Sequence, residues 1–225
     1  AGLFTTIGVS MALYHRAMTG EGQKIDVSML DCQVAVLENA ISRYLVNGEI
    51  PGPIGNRHPS ITPFEGFTAS DGYVIVGAGN DRLWKKLCEL LGKPELTTDP
   101  RFVTNGDRTN NQKALKPILD SVFKTKTIDA WLVVLEEAGI PCAPINTVDR
   151  VLKDPQIKAR NMIVEVEHPV AGKMHIPGVP IKMSQTPGTV EKAAPLLGQH
   201  TEEILSEMLG YDNAKVQELR DKGIL

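Results

Sequence analysis

The chain has 225 residues, of which 42% are hydrophobic and 23% are charged, and its formal net charge is -3. This is the composition of an ordinary globular protein, and it excludes collagen-like, fibrous and disordered classes. The 24 Lys and Arg residues are interspersed with 27 Asp and Glu residues, so the sequence has no basic stripe. Binding to nucleic acid or to a membrane surface is therefore not predicted. Cys32, Cys88 and Cys142 are far apart and form no CxxC pair, which disfavours disulfides and structural zinc and indicates a cytoplasmic setting.

The first predicted element is an apolar helix over residues 2–14. Leu3, Ile7, Met11 and Tyr14 repeat at helical spacing, and other faces are apolar too, so we expect the helix to be buried in a larger α/β core. The segment is too short to cross a bilayer. The chain opens inside this segment without a residue that could cap the helix, and we therefore expect it to be a portion of a longer protein.

A short strand and a helix are predicted next. Ile25 and Val27 alternate with polar residues, which is the pattern of a half-buried strand. A helix follows, in which Val34, Leu37, Ile41 and Tyr44 form an apolar stripe, and it ends at the Asn47-Gly48 turn. Asp31 lies at the start of that helix, where a cap is the ordinary explanation. Helix, strand and helix in this order are typical of a parallel α/β layer.

Residues 49–63 contain four prolines and two glycines, a composition that favours an extended linker and predicts a domain boundary. After it, aromatic and β-branched residues flank Asp71-Gly72, a pair suited to a type I′ turn, so a hairpin is predicted over residues 64–79. The remaining predicted elements are a helix capped by Asn80 and Asp81, a helix over residues 127–138, short edge-like strands within residues 162–183, and a last helix from its N-cap Thr201 to Gly210.

Gly77, Ala78, Gly79 and Asn80 lie between a predicted strand and a predicted helix. A dinucleotide-binding motif is excluded because Arg82 stands where a third glycine is required and because the strand belongs to a hairpin. Two interpretations stay open from the residues alone. The glycines either supply permissive backbone angles at a strand end, or they expose N–H groups that approach a carboxylate or an oxyanion.

No metal site or serine nucleophile is predicted, since the five histidines show no HxxxH or HExxH spacing and no serine lies in a GxSxG elbow. Asn56, Arg57 and His58 place an amide, a fixed cation and an imidazole together in the proline-rich linker, which makes them a candidate binding group. An isolated histidine is nevertheless more often a packed or surface residue. Cys142 lies between two prolines in an apolar run, and we interpret it as a small buried hydrophobe.

Five segments in order resemble the class III CoA-transferase family, of the formyl-CoA transferase and carnitine CoA-transferase type. They are residues 15–28 (HRAMTGEGQKIDVS), 55–59 (GNRHP), 71–80 (DGYVIVGAGN), 139–144 (GIPCAP) and 197–201 (LGQHT). The resemblance spans essentially the whole chain. GAGN and residues 167–178 (EHPVAGKMHIPG) are also similar to transferases that use dicarboxylic acids, such as the succinyl-CoA:glutarate type.

The resemblance implies an α/β fold in which a Rossmann-like large domain is built from both chain ends and a smaller α+β domain lies between them. Two such subunits would interlock as a homodimer. On this basis residues 1–48 belong to the large domain, residues 49–63 are the linker, residues 64–185 form the small domain and return strands, and residues 186–225 return to the large domain.

The implied reaction moves CoA from a thioester donor to a carboxylic acid through an aspartyl mixed anhydride and an aspartyl thioester. Acyl-CoA is then a substrate, and no cofactor is permanently bound. The catalytic aspartate is expected just upstream of Ala1, so this chain alone is expected to be inactive, and neither Asp26 nor Asp31 replaces it. The residues assigned by resemblance are Gly77, Gly79 and Asn80 as catalytic, with Ala78, Asn56, Arg57 and His58 as substrate-binding.

Two alternatives remain. The first is an isomerase similar to α-methylacyl-CoA racemase, in which the position of Asn80 is a glutamate that supports a histidine; an asparagine cannot titrate, which disfavours it. The second is a non-catalytic fragment that binds a partner or dimerises, for which a large exposed apolar patch would be expected.

Overall fold

The computed structural model describes all 225 residues, which divide into two compact units, Ala1–Pro144 and Ile145–Leu225. The helices are α1 (Gly2–Thr19), α2 (Met29–Val36), α3 (Glu38–Asn47), α4 (Asp81–Leu90), α5 (Asn105–Asn110), α6 (Gln112–Phe123), α7 (Ile128–Glu137), α8 (Val148–Lys153), α9 (Pro155–Ala159), α10 (Thr201–Leu209) and α11 (Asn213–Asp221). The strands are β1 (Phe64–Ala69), β2 (Gly72–Gly77), β3 (Cys142–Pro144), β4 (Ile163–His168) and β5 (Gly172–Pro177). The predicted α/β class is confirmed, and none of the helices has the length and apolar content needed to cross a bilayer.

The N-terminal helix forms as predicted, but its predicted burial is wrong. α1 ends at Gly20, whose φ of 79° is left-handed, and none of its residues is buried. Leu3 is 83% exposed and Tyr14 is 70% exposed. A helix that is apolar on several faces becomes buried only when other elements cover those faces, and residues 1–225 do not supply such a cover.

The strand predicted around Ile25 and Val27 is also wrong, because residues 21–28 have no regular structure. An alternating segment becomes a strand only when a neighbour pairs with its N–H and C=O groups. Ser28 instead caps α2 by accepting a hydrogen bond from the Asp31 N–H, at 3.3 Å, so Asp31 is not the cap. The predicted single helix is interrupted at Leu37, and its second part, α3, ends at Gly48 as predicted.

The predicted hairpin is confirmed, with a different turn. β1 and β2 are antiparallel and in register from Phe64 opposite Gly77 to Ala69 opposite Gly72. The two connecting residues are therefore Ser70 and Asp71, and neither has a positive φ, which excludes the expected type I′ turn. The Asp71 side chain accepts a hydrogen bond from the Ile128 N–H at 2.8 Å. It thereby joins the turn to the start of α7.

The core of the first unit lies between one sheet face and helices. β3 pairs with β2, so the strand order is β1-β2-β3, and α6 and α7 pack against this sheet. Phe67 stacks on Phe123 with a centroid separation of 4.7 Å, and Phe123 contacts Trp131 in a tilted arrangement with a centroid separation of 4.9 Å. α4 adds Trp84, Leu87 and Cys88 to the same core. The helix predicted after Asn80 and the helix predicted over residues 127–138 are thus confirmed as α4 and α7, whereas α5 and α6 were not predicted.

In the second unit the strands predicted within residues 162–183 form as the antiparallel pair β4 and β5, from Ile163 opposite Pro177 to His168 opposite Gly172. α10 ends at Gly210 as predicted, but its N-cap is His200 rather than Thr201, and no side chain caps it. A further helix, α11, follows and was not predicted.

Candidate active site

An open cavity of about 660 Å³ lies beside the glycine segment, defined as residues 77–80. Its lining residues are Ile61, Phe64, Ile75, Gly77, Gly79, Asn80, Asn105, Pro141, Cys142 and Ala143. None of them carries a charge, and most are apolar. The volume is within the range of small-molecule sites. All three predicted catalytic residues, Gly77, Gly79 and Asn80, therefore line the cavity.

Strand pairing explains why distant segments meet here. Ile75 and Gly77 alternate with the buried core residues Val74 and Val76, so they face the other side of the sheet. Ala143 lies opposite Ile75 in β3. The resemblance segment at residues 139–144 thus forms one wall of the cavity.

Two of the four backbone N–H groups of the glycine segment donate hydrogen bonds within the protein, and the other two do not. The Gly77 N–H donates to the Pro141 carbonyl and the Ala78 N–H donates to the Pro63 carbonyl, each at 2.8 Å. The Ala78 side chain is fully buried. The Gly79 and Asn80 N–H groups have no protein acceptor. Two unpaired donors therefore lie at the N-terminus of α4, where the helix dipole favours negative charge.

Asn80 has the predicted structural role. Its side-chain oxygen accepts a hydrogen bond from the Leu83 N–H at 2.9 Å, and Asn80 is thus the N-cap residue of α4. The side chain is thereby fixed at the start of the helix.

Gly79 has no room for a side chain. A Cβ atom built there would lie 2.0 Å from Cγ2 of Ile61, which is a severe overlap. At Gly77 the nearest atom would be Cδ2 of Phe64, at 3.6 Å, an ordinary contact. Close approach of the linker therefore explains glycine at position 79, and the same argument does not apply at position 77.

Arg108 on α5 is fully buried and contacts the glycine segment, although nothing in the sequence pattern distinguished it. Its guanidinium donates to the carbonyls of Thr62, Phe102, Val103 and Gly79 and to the Asp81 carboxylate, at 2.7–3.2 Å. It also lies 5.1 Å from the Trp84 ring centroid. Burial lowers the pKa of Arg108, and the Asp81 carboxylate opposes that change. The Thr104 and Asp107 capping box is the local signal that would have located α5.

The predicted binding group at residues 56–58 lies along the outer edge of β1, next to the cavity rather than in its lining. Asn56 accepts a hydrogen bond from the Gly66 N–H at 3.3 Å, and the His58 N–H donates to the Phe64 carbonyl at 2.8 Å. The His58 ring stacks on the Phe64 ring with a 4° interplanar angle. Since Phe64 lines the cavity, this stacking connects the binding group to the cavity wall.

Two titratable groups of this sheet, Glu65 in β1 and Cys142 in β3, have shifted pKa values. Burial raises the pKa of the Glu65 carboxyl, and hydrogen bonds from Gln112 to both carboxylate oxygens oppose this. Burial also raises the pKa of the Cys142 thiol. Cys142 is half-buried in the cavity wall and packs against the core, so its predicted burial is only partial. No cluster of three or more His, Cys, Asp or Glu side chains is arranged to hold a metal ion.

Comparison with known proteins gives a consistent result. The sequence profile of CoA-transferase family III matches residues 1–201. The chain is 35% identical to succinyl-CoA:glutarate CoA-transferase of Homo sapiens over 100% of its own length and 51% of that protein. It is 42% identical to acetyl-CoA:oxalate CoA-transferase of Acetobacter aceti over 81% of its own length and 46% of that protein.

The fold comparison agrees. A CAIB/BAIF family protein from Brucella suis superposes with a TM-score of 0.79 and 39% identity, covering 92% of this chain and 53% of that one. The chain thus spans about half the length of the relatives that it matches, which is consistent with a C-terminal portion. The profile match over most of the sequence shows that the chain belongs to CoA-transferase family III.

Proposed function

We propose that this chain forms part of an enzyme that transfers CoA from an acyl-CoA donor to a carboxylic acid. The observation that carries the proposal is the pair of unpaired Gly79 and Asn80 N–H groups at the cavity. Acyl transfer develops negative charge on a carbonyl oxygen, and fixed N–H donors directed at that oxygen lower the barrier. Two relatives, succinyl-CoA:glutarate CoA-transferase and acetyl-CoA:oxalate CoA-transferase, act on dicarboxylic acids, which supports a dicarboxylic acid as the acceptor.

The proposed reaction uses an aspartate carboxylate as nucleophile, which we place upstream of Ala1. The carboxylate attacks the thioester carbonyl, the C–S bond breaks, and a mixed anhydride and CoA thiolate form. The thiolate then attacks the aspartyl carbonyl of the anhydride, which releases the donor's carboxylate and leaves an aspartyl thioester. The acceptor carboxylate reverses these steps, so the new acyl-CoA forms and the aspartate is regenerated. A carboxylate is a weak nucleophile, which is why orientation and oxyanion donors are required.

The remaining site residues have proposed roles that follow their positions. Gly77 anchors the glycine segment to the Pro141 carbonyl. Arg57 and His58, with Asn56, lie beside the cavity wall and are proposed to bind the anionic parts of the substrates. Ala78 would contribute only through its backbone carbonyl or its packing, since its side chain is buried and its N–H is bonded. We further propose a cytoplasmic homodimer with no permanently bound cofactor.

The test is a transfer assay with the full-length protein, succinyl-CoA as donor, and glutarate and oxalate as acceptors. Formation of glutaryl-CoA or oxalyl-CoA, detected by mass spectrometry, is the expected result. Residues 1–225 alone serve as a control and are expected to be inactive. Absence of any acyl exchange in the full-length protein over a broad panel of carboxylic acids would contradict the proposal. Deuterium uptake at the α carbon of a 2-methylacyl-CoA would instead support the isomerase alternative.

A further inference from the structure

Helix α5 joins the linker to the glycine segment through two side chains on one face. Asn105 and Arg108 are three residues apart, so they project from the same side of the helix. Neither residue belongs to the segments that carry the family resemblance. Both bond to residues more than twenty positions away, Asn105 to residues 60 and 62 and Arg108 to residues 62 and 79.

Asn105 fixes the linker on both sides of Ile61. Its side-chain oxygen accepts a hydrogen bond from the Thr62 N–H at 3.0 Å, and its side-chain nitrogen donates to the Ser60 carbonyl at 2.8 Å. The oxygen and the nitrogen of the Asn105 side-chain amide are thus both hydrogen-bonded to the backbone of residues 60–62. Ile61, between these two anchor points, is held against Gly79.

Arg108 connects that stretch to the glycine segment directly. Its Nε–H donates to the Thr62 carbonyl at 2.8 Å, and one terminal nitrogen donates to the Gly79 carbonyl at 2.7 Å. Because a guanidinium is planar and rigid, it fixes the distance between the two carbonyls. Its other donors are bonded to the Phe102 and Val103 carbonyls and to Asp81, so the group cannot turn away without leaving buried carbonyls unpaired.

We infer that Asn105 and Arg108 are positioning residues that hold the Gly79 and Asn80 N–H groups in the geometry required for oxyanion binding. The inference rests on the proposed function. The peptide that joins Gly79 to Asn80 contains the carbonyl that Arg108 binds and the Asn80 N–H, so the arginine fixes the plane of that donor. Asn105 acts on Gly79 indirectly, because it holds Ile61, whose side chain packs against the Gly79 backbone.

The primary test compares Asn105→Ala with Asn111→Ala in the full-length protein. Asn111 lies at the other end of α5 and also makes two side-chain hydrogen bonds, to the Arg101 and Asp107 carbonyls, without contacting the linker or the glycine segment. We expect Asn105→Ala to lower kcat about 10-fold or more, since a misplacement near 1 Å can cost about 100-fold. The KM for acyl-CoA is expected to change by less than about twofold, since only the transition-state interaction is affected. Asn111→Ala is expected to keep the wild-type kcat.

A second readout is independent of activity. The Ala78 N–H is protected by its bond to the Pro63 carbonyl, and we expect hydrogen exchange in a peptide covering residues 74–83 to accelerate in Asn105→Ala and not in Asn111→Ala. Accelerated exchange with an unchanged kcat would overturn the positioning role, and so would equal behaviour of the two variants. If the wild-type protein transfers no CoA, the proposed function fails while the exchange comparison still tests whether Asn105 holds the segment.

Two further variants keep the inference testable if Asn105→Ala does not fold. Asn105→Asp retains the acceptor for the Thr62 N–H and loses only the donor to the Ser60 carbonyl, so we expect an intermediate loss of kcat. An unchanged kcat in this variant would contradict the inference. Arg108→Lys keeps the charge but lacks the planar fork, and it is expected to lose more activity than Asn105→Asp, with KM again nearly constant.

Discussion

Replacing Gly79 by alanine is expected to slow CoA transfer much more than it destabilises the protein. The new Cβ atom would lie 2.0 Å from Cγ2 of Ile61, whereas carbon atoms in contact are about 3.5–4 Å apart, so one group must move by about 1.5 Å. Overpacking of this kind costs about 1–3 kcal/mol. Ile61 is 37% exposed and can partly turn towards solvent, so we expect a loss of stability near the lower end of that range. A displacement of that size at the Gly79 and Asn80 donors is expected to lower kcat about 100-fold.

The structure also specifies a second substitution that should restore activity. Ile61→Ala removes the clashing Cγ2 atom and leaves its Cβ atom 3.4 Å from the new Cβ atom at position 79, a tight but attainable contact. We therefore expect the Gly79→Ala, Ile61→Ala double variant to recover a large part of the lost kcat.

The assay measures kcat and KM for CoA transfer in the full-length protein, together with urea denaturation. Gly77→Ala is the control for stability, because its Cβ atom would be 3.6 Å from its nearest neighbour. We expect its free energy of unfolding to be closer to wild type than that of Gly79→Ala. Wild-type kinetics in Gly79→Ala, or a double variant no faster than the single one, would refute the steric explanation of this glycine.

Three other expectations concern single groups. Asn80→Ala should lose about 0.5–2 kcal/mol of stability in urea denaturation because the Leu83 N–H loses its cap, whereas Asn80→Asp should retain most of it. Burial raises the pKa of the Glu65 carboxyl above its ordinary value of 4.5, so the native state binds the carboxyl proton more tightly than the unfolded state does. The contribution of Glu65 to the free energy of unfolding therefore falls as pH rises from about 4.5 through the raised pKa. The stability of Glu65→Gln relative to wild type should accordingly increase from near pH 4 to near pH 7; a pH-independent difference would contradict this. Cys142 should react with iodoacetamide more slowly than free cysteine at neutral pH, because its raised pKa keeps the thiol protonated, and mass spectrometry of the labelled peptide measures that rate.

Local signals in the sequence were sufficient for several elements. The hairpin strands around Asp71, the cap of α4 at Asn80 and the glycine ends of α3 and α10 depend on interactions between residues close in sequence. Such interactions act wherever the segment is placed. The strand predicted near Ile25 failed for the converse reason, since its pairing partner has to come from elsewhere in a sheet.

The turn of the first hairpin shows how a local signal can be overridden. Asp71-Gly72 favours a type I′ turn by itself, but the register of β1 and β2 moves the turn by one residue to Ser70 and Asp71. The Asp71 carboxylate then accepts a hydrogen bond from the Ile128 N–H. A tertiary hydrogen bond and the strand register therefore determined the turn type, and neither is visible in a dipeptide.

The sequence by itself determined the family resemblance, the first hairpin, the cap of α4, the glycine ends of α3 and α10 and the position of the glycine segment, because each of these is recorded in neighbouring residues. Only the tertiary structure decided which N–H groups of that segment are free, why Gly79 cannot carry a side chain, and that Arg108 and Asn105 hold it. Those properties arise from contacts between residues 60–62, 77–80, 105–108 and 141–143. Segments so far apart in sequence meet only after β3 has paired with β2 and α5 has packed beside them.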